Sequence, residues 1–172
     1  MKDMMLLVEP LIPALRRYAR SLMRADAAGA DDLVQDCLER AITRWHQRRA
    51  DGDARTWLFT ILHNLAVNRM RQRARRGRDV PIEDAAEAAT ARPPTQEAGL
   101  RHNELLRALD QLPEEQRSVL LLVSVEDLSY AEAATVLDVP IGTVMSRLSR
   151  GRERLLRIME AESRPTTLRR VK

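Results

Sequence analysis

The sequence predicts an all-α protein, two small helical domains joined by a flexible linker, with the second domain a helix-turn-helix. Three observations carry this. Ala, Leu, Arg and Glu abound, β-branched residues are sparse and aromatics make up 3% of the 172 residues, a composition that favours helix over strand. Apolar residues recur at helical spacing from Leu6 to about Arg78 and again from Leu100. Between them, Asp79 to Gly99 has no apolar period and holds Pro81, Pro93 and Pro94, which exclude one continuous helix. The expected boundaries are a first domain at 1–78, a linker at 79–100 and a second domain at 101–172.

In chain order, a first helix is expected from about Val8 to Met23, with Leu11, Leu15, Tyr18, Ala19 and Leu22 on one stripe. The small-residue stretch Ala25 to Ala30 reads as a turn, after which Asp31 or Asp32 caps a second helix running through Leu33, Val34, Cys37, Leu38, Ala41 and Ile42 to Trp45. Asp51-Gly52-Asp53 marks the turn before a long helix from about Arg55 to Arg76, on which Trp57 is spaced with Ile61 and Leu65 as a core residue would be. Past the linker, Leu105, Leu106 and Leu109 mark a helix, and Pro113-Glu114-Glu115 suits the first turn of the next, which covers Val119 to Val125. Ser129 with Glu132 forms a capping box. Asp138-Val139-Pro140 ends that short helix, and a last one runs from about Ile141 to Glu160 before a basic tail.

Composition excludes several classes of function. No run of about 18 apolar residues exists, so membrane insertion is not expected, and the N-terminus lacks the pattern of an export signal, which leaves the cytoplasm as the expected location. The single Cys37 allows no internal disulfide and reads as a small core residue; His46, His63 and His102 are scattered and read as surface or boundary residues. No metal site, cofactor loop or catalytic constellation is recognisable, so neither a metal nor a cofactor is expected and an enzyme is disfavoured. The net charge of +4 hides a segregation: the run from Arg69 to Arg78 is intensely basic and the segment that follows is acidic. Alone, an arginine run at a helix end is equally a solvated terminus and a nucleic-acid contact.

The segment Ser129 to Arg152 reads as two short helices joined by a tight turn. Advancing about 100° per residue from Val144 puts Val144, Leu148, Gly151, Leu155 and Ile158 on one inward stripe. Met145, Ser146, Ser149 and Arg150 then lie opposite, in the first turns, where a recognition helix meets base edges. The chemistry fits: an arginine can donate twice to guanine, a serine can donate or accept, and a methionine can touch a thymine methyl. Arg147, Arg152 and Arg154 flank this face within reach of phosphates, and Gly142 and Thr143 open the helix where backbone N–H groups can approach one. Duplex DNA is the expected partner.

Both halves together resemble the extracytoplasmic-function (ECF) sigma factors of bacterial RNA polymerase over essentially the whole chain. The resemblance rests on Asp31-Asp32-Leu33-Val34-Gln35-Asp36-Cys37-Leu38-Glu39-Arg40-Ala41, on Arg55-Thr56-Trp57-Leu58-Phe59-Thr60-Ile61-Leu62-His63-Asn64, on Leu112-Pro113-Glu114-Glu115-Gln116-Arg117, and on the helix-turn-helix. Their order and separation make the pair specific, since a helix-turn-helix alone is widespread.

What the resemblance implies is a promoter-specificity subunit with core RNA polymerase and promoter DNA as partners. The segment with Asp32, Gln35, Asp36, Glu39 and Arg40 would bind the β′ clamp helices, although Asp32 is equally readable as a helix cap, and the second domain would meet the β flap. The long helix would open the minus-10 element, with Asn64 and Asn68 as base contacts and Arg69, Arg71, Arg73, Arg75 and Arg76 on the backbone; extruding a base costs a few kcal/mol, which pocket contacts must offset. Thr143, Met145, Ser146, Arg147, Ser149, Arg150 and Arg152 would engage the minus-35 element. The acidic linker, with Asp79, Glu83, Asp84 and Glu87, would lie in the RNA exit channel or serve only to solubilise. An anti-sigma factor is a further implied partner. A stand-alone regulator with the same motif would need a receiver or a dimerisation seam upstream, and the first half offers neither.

Overall fold

A computed structural model describes residues 2–23, 26–48, 52–76 and 96–163. Among them the regular structure is helical: α1 (Lys2–Val8), α2 (Ile12–Leu22), α3 (Ala27–Thr43), α4 (Ala54–Arg76), α5 (Gln96–Asp110), α6 (Glu114–Leu120), α7 (Tyr130–Leu137) and α8 (Ile141–Ser163). The acidic segment at 79–95 and the basic tail from 164 lie outside the described residues.

The expected first helix is broken. Pro10 and Pro13 lack the N–H an α-turn needs, and Glu9–Leu11 tightens into a 3-10 turn between α1 and α2. Leu15, Tyr18, Ala19 and Leu22 of α2 are buried as the stripe required. The second helix begins earlier than expected. Asp26 is its cap, its side chain accepting from the Gly29 N–H at 2.8 Å, so Ala27 to Ala30 are helical and Asp31 and Asp32 are exposed residues inside α3. Gly29 is required there: a Cβ would stand 1.7 Å from the Asp26 carboxylate. Asp53 starts α4 in the same way, accepting at 2.8 Å from both the N–H and the hydroxyl of Thr56.

In the second half α5 begins at Gln96, inside the stretch expected to be linker. No proline lies between Pro94 and Pro113, and Gln, Glu, Ala and Leu propagate a helix readily. Pro113 caps α6 from outside, with extended ψ, and Leu121–Val125 continues α6 as a π-turn. The Ser129–Glu132 capping box forms as expected: the Glu132 N–H donates to Ser129 Oγ at 3.2 Å, and the Ser129 N–H donates to Glu132 Oε2 at 2.7 Å. Asp138 turns the chain at φ 52°, a left-handed stop that short polar residues tolerate, and Pro140 leads into α8.

The packing joins the two halves. α2, α3 and α4 pack together; α8 packs on α5, α6 and α7; and α7 also lies against α4, so that buried residues from Met4 to Leu148 form one continuous core. Trp57 belongs to that packing, edge-on to Trp45 with ring centroids 5.9 Å apart. Cys37 is buried and its thiol is pushed up to about 12 by desolvation, as befits a packed small side chain. His63 departs from expectation. It is a core residue whose Nδ1 is hydrogen-bonded to the Tyr18 hydroxyl at 3.0 Å, and burial lowers its pKa to about 4.

Two expectations test this packing. A Cβ at Gly151 would stand 3.0 Å from Leu120 Cδ1 where α6 meets α8, whereas at Gly142 it would meet nothing within 4 Å. Urea denaturation should therefore show Gly142→Ala unchanged or stabilised by up to about 1 kcal/mol and Gly151→Ala less stable than Gly142→Ala by about 1 kcal/mol, from overpacking; equal shifts at both sites would contradict the close approach. Because the folded-state pKa of His63 lies below its ordinary value of 6.5, its contribution is intact above pH about 6.5. It is lost as pH falls toward 4, at up to about 1.4 kcal/mol per pH unit. Urea midpoints measured from pH 7.5 to 4.5 should fall less steeply in His63→Gln than in the natural chain.

Candidate nucleic-acid interface

The last helix is built to show one face. Val144 and Leu148 are buried, Gly151 is buried against α6, and Leu155 and Ile158 pack on the core, which fixes the rotation of α8. Met145 is consequently 49% exposed, a large apolar side chain held in solvent. Ser149, Arg150 and Arg152 are exposed with it, while Ser146 and Thr143 are half-buried, and Ser146 Oγ donates to the Thr143 carbonyl at 3.1 Å. Arg150 lines a groove of about 550 Å³ with Gln111, Gln116, Glu153, Arg154 and Arg157.

Two details narrow the expectation for this helix. Arg147 is ion-paired with Glu115 of α6 at 3.0 Å, so a phosphate must compete for it. The N–H of Thr143 donates to the Pro140 carbonyl at 2.9 Å and is not free for an anion.

The arginine run on α4 divides by direction. At about 100° per residue, Asn64, Asn68, Arg71 and Arg75 share one stripe, and all four are exposed. Arg69 and Arg73 are held by partners within the protein: Arg69 donates to the Gly29 carbonyl at 2.5 Å, and Arg73 pairs with Asp26. Burial would raise the pKa of Asp26, but the Gly29 N–H and Arg73 together hold it below the ordinary carboxylate range. These two arginines therefore tie α4 to the start of α3, a duty the sequence pattern did not reveal. Arg76 is exposed at the end of the helix.

On α3, Asp32, Gln35, Asp36, Glu39 and Arg40 fall at i, i+3, i+4, i+7 and i+8 and are all exposed on one face; Gln35 donates to Glu39 at 3.2 Å. That face adjoins the basic stripe. Asp36 and Arg40 line one polar groove of about 430 Å³ with Asn68, Arg69, Arg71, Gln72 and Arg75. Sequence reasoning proposed the two groups separately, and the packing of α3 on α4 brings them together.

Sequence reasoning also missed a cluster between the halves. Glu126, beyond the π-turn, has a side chain with 0% exposure and is held by Arg17 of α2, whose Nε and Nη2 donate to its two oxygens at 2.8 and 2.5 Å. The hydrogen bond to Glu126 raises the pKa of Arg17 further. Arg55 of α4 donates to the Glu126 carbonyl. The residues stand 109 and 71 positions apart, and no local signal pairs them.

An all-helical chain with a recognition-type helix in one half and an exposed Asn/Arg stripe in the other belongs to the class of helix-turn-helix transcription factors. Residues 102–155 match the family model of sigma-70 region 4 and residues 8–63 that of the sigma2 domain of PhyR. The ECF RNA polymerase sigma factor EcfG of Rhodopseudomonas palustris is 39% identical over 145 residues, 84% of this chain and 78% of that protein. The RNA polymerase sigma-H factor of Pseudomonas aeruginosa is 36% identical over 138 residues, 74% of this chain and 72% of that one. Among solved structures, the sigma factor RpoE of Bartonella quintana, in complex with the anti-sigma factor NepR, matches with a TM-score of 0.80 and 34% identity over 94% of this chain and 99% of that one. CnrH, in complex with the cytosolic domain of CnrY, matches with a TM-score of 0.70 at 26% identity, covering 94% and 90% of the two chains. The chain belongs to the ECF sigma factor family, and it directs promoter-specific transcription by RNA polymerase.

Proposed function

We propose that the two halves act as separate promoter-reading heads, divided near the segment 79–95, and that the chain is a non-enzymatic specificity subunit working with core polymerase in the cytoplasm. The face of α3 carrying Asp32, Gln35, Asp36, Glu39 and Arg40 binds the β′ clamp helices, and the second half meets the β flap. Asn64, Asn68, Arg71 and Arg75 contact the minus-10 element, joined by Arg76 and, after exchange of their internal partners, by Arg69 and Arg73. Met145, Ser146, Ser149 and Arg150 read the minus-35 element, with Thr143, Arg147 and Arg152 at the backbone. The observation that carries this reading is the rotation of α8, whose buried Val144 and Leu148 leave Met145, Ser149 and Arg150 in solvent on its first turns. Among the described residues no helix is long and apolar enough to cross a membrane.

An anti-sigma factor is a further partner in this proposal. The solved relatives RpoE and CnrH are each bound to another protein, NepR and CnrY. A groove of about 530 Å³ lined by Arg16, Arg20 and Ser21 on α2 and by His102 and Leu106 on α5 supports a partner that touches both halves.

Reconstituted transcription tests the assignment. Added to core polymerase, the chain should give initiation at defined promoters, and Arg150→Ala should lose about 1–3 kcal/mol of minus-35 selection, because a base contact discriminates between sequences. An equal loss on every promoter would assign Arg150 to phosphates instead. Asp36→Ala should weaken binding to core polymerase, measured by fluorescence titration, by several-fold or more. A chain that keeps full affinity would remove α3 from the polymerase interface.

A further inference from the structure

Glu126 is the one fully buried acidic side chain among the described residues, and both arginines that hold it come from the other half of the protein. Its loop is also conformationally committed: Asp127 sits at φ 52°, and the flanking Leu128 is buried. This is a small lock at a long seam. α7, the first helix of the helix-turn-helix, lies along α4, the helix whose far stripe carries Asn64, Asn68, Arg71 and Arg75.

That arrangement is incompatible with simultaneous reading of two promoter elements. Elements centred 35 and 10 base pairs upstream stand 25 base pairs apart, or about 85 Å along B-DNA at 3.4 Å per pair. Even a compact domain of 172 residues has a radius of gyration of about 16 Å and a diameter of roughly 40 Å, and the described residues, which share one core, are fewer than that. Met145, Ser149 and Arg150 on α8 and Asn64, Asn68, Arg71 and Arg75 on α4 are exposed in this arrangement but cannot reach both elements until the halves separate.

We propose that the Arg17–Glu126 contact is an autoinhibitory latch, which holds the two DNA-reading halves closed in the free chain and must break before the chain engages a promoter. This rests on the two-headed reading above. The chemistry makes the contact a suitable release point. Removing Arg17 takes both hydrogen bonds from a buried carboxylate and leaves only Arg55 on its backbone carbonyl, and the least costly relief is to open the seam and hydrate it. Arg17 itself is half in solvent, its side chain 52% exposed, so a polymerase surface or a competing acidic group can approach and withdraw it.

Arg17→Gln and Glu126→Gln full-length chains test this, with far-UV circular dichroism to confirm that helicity is kept. Small-angle scattering should show a larger radius of gyration for both variants than for the natural chain. At fixed core polymerase, the concentration giving half-maximal complex on a promoter with both elements should fall roughly tenfold, since the latch no longer depletes the competent state. A helical chain of unchanged dimensions in both variants overturns the latch. Expansion in both variants without promoter complexes from any chain supports the latch and sinks the promoter reading instead.

Discussion

The buried carboxylate of Glu126 is the constraint on which the arrangement of the two halves depends. An isolated charge cannot be held away from water, so the side chain can occupy its site only with a donor fork in place, and Arg17 supplies two hydrogen bonds from the other half of the chain. Solvent screens the attraction on the Arg17 side, whose side chain is 52% exposed, but the cost of leaving the fully buried Glu126 unpaired falls on the closed arrangement. Its effect is positional. With Arg17 on α2 and Arg55 on α4 both committed to one residue, the loop before α7 is fixed on the first half, and α7 follows it onto α4.

Within each half, helix ends set the positions of the candidate site residues. Asp26 caps α3 through Gly29, and the same two residues receive Arg73 and Arg69 from α4. The start of one helix and the basic end of the other are thereby locked, which leaves Arg71 and Arg75 pointing outward beside Asp36 and Arg40. In the second half the capping box at Ser129, the left-handed Asp138 and Pro140 fix where α7 stops and α8 starts. The rotation of α8 then follows from Val144, Leu148 and Gly151, the last by allowing α6 a close approach.

The sequence was legible wherever a local rule governed the outcome. Helical class, the capping box, the inward stripe of α8 and the packing of half-buried Trp57 on the core followed from periodicity and short-range chemistry. Errors arose where two local signals competed. Apolar spacing gave a continuous first helix, and Pro10 and Pro13, of which that spacing takes no account, broke it because a missing donor cannot be compensated inside a helix. Asp31 or Asp32 was expected as the cap, and Asp26 took the position instead, its carboxylate coming close to Gly29 where a Cβ would stand in its way. Each half of the site was legible as a helix face, whereas the duties of Arg69, Arg73 and Arg147 were hidden, since an arginine looks the same in sequence whether its partner is protein or phosphate.

By itself, then, the sequence determined the helices, their exposed faces and the family to which the chain belongs, because those depend on residues within a few turns of one another. Tertiary structure decided what depends on distant partners: the burial of His63 beneath Tyr18, the common groove of Asp36 and Arg75, and the closure of one half on the other through Glu126. A buried charge or histidine is stable only with a specific neighbour, and over 45 or 109 positions of separation the sequence carries no periodicity that names the neighbour.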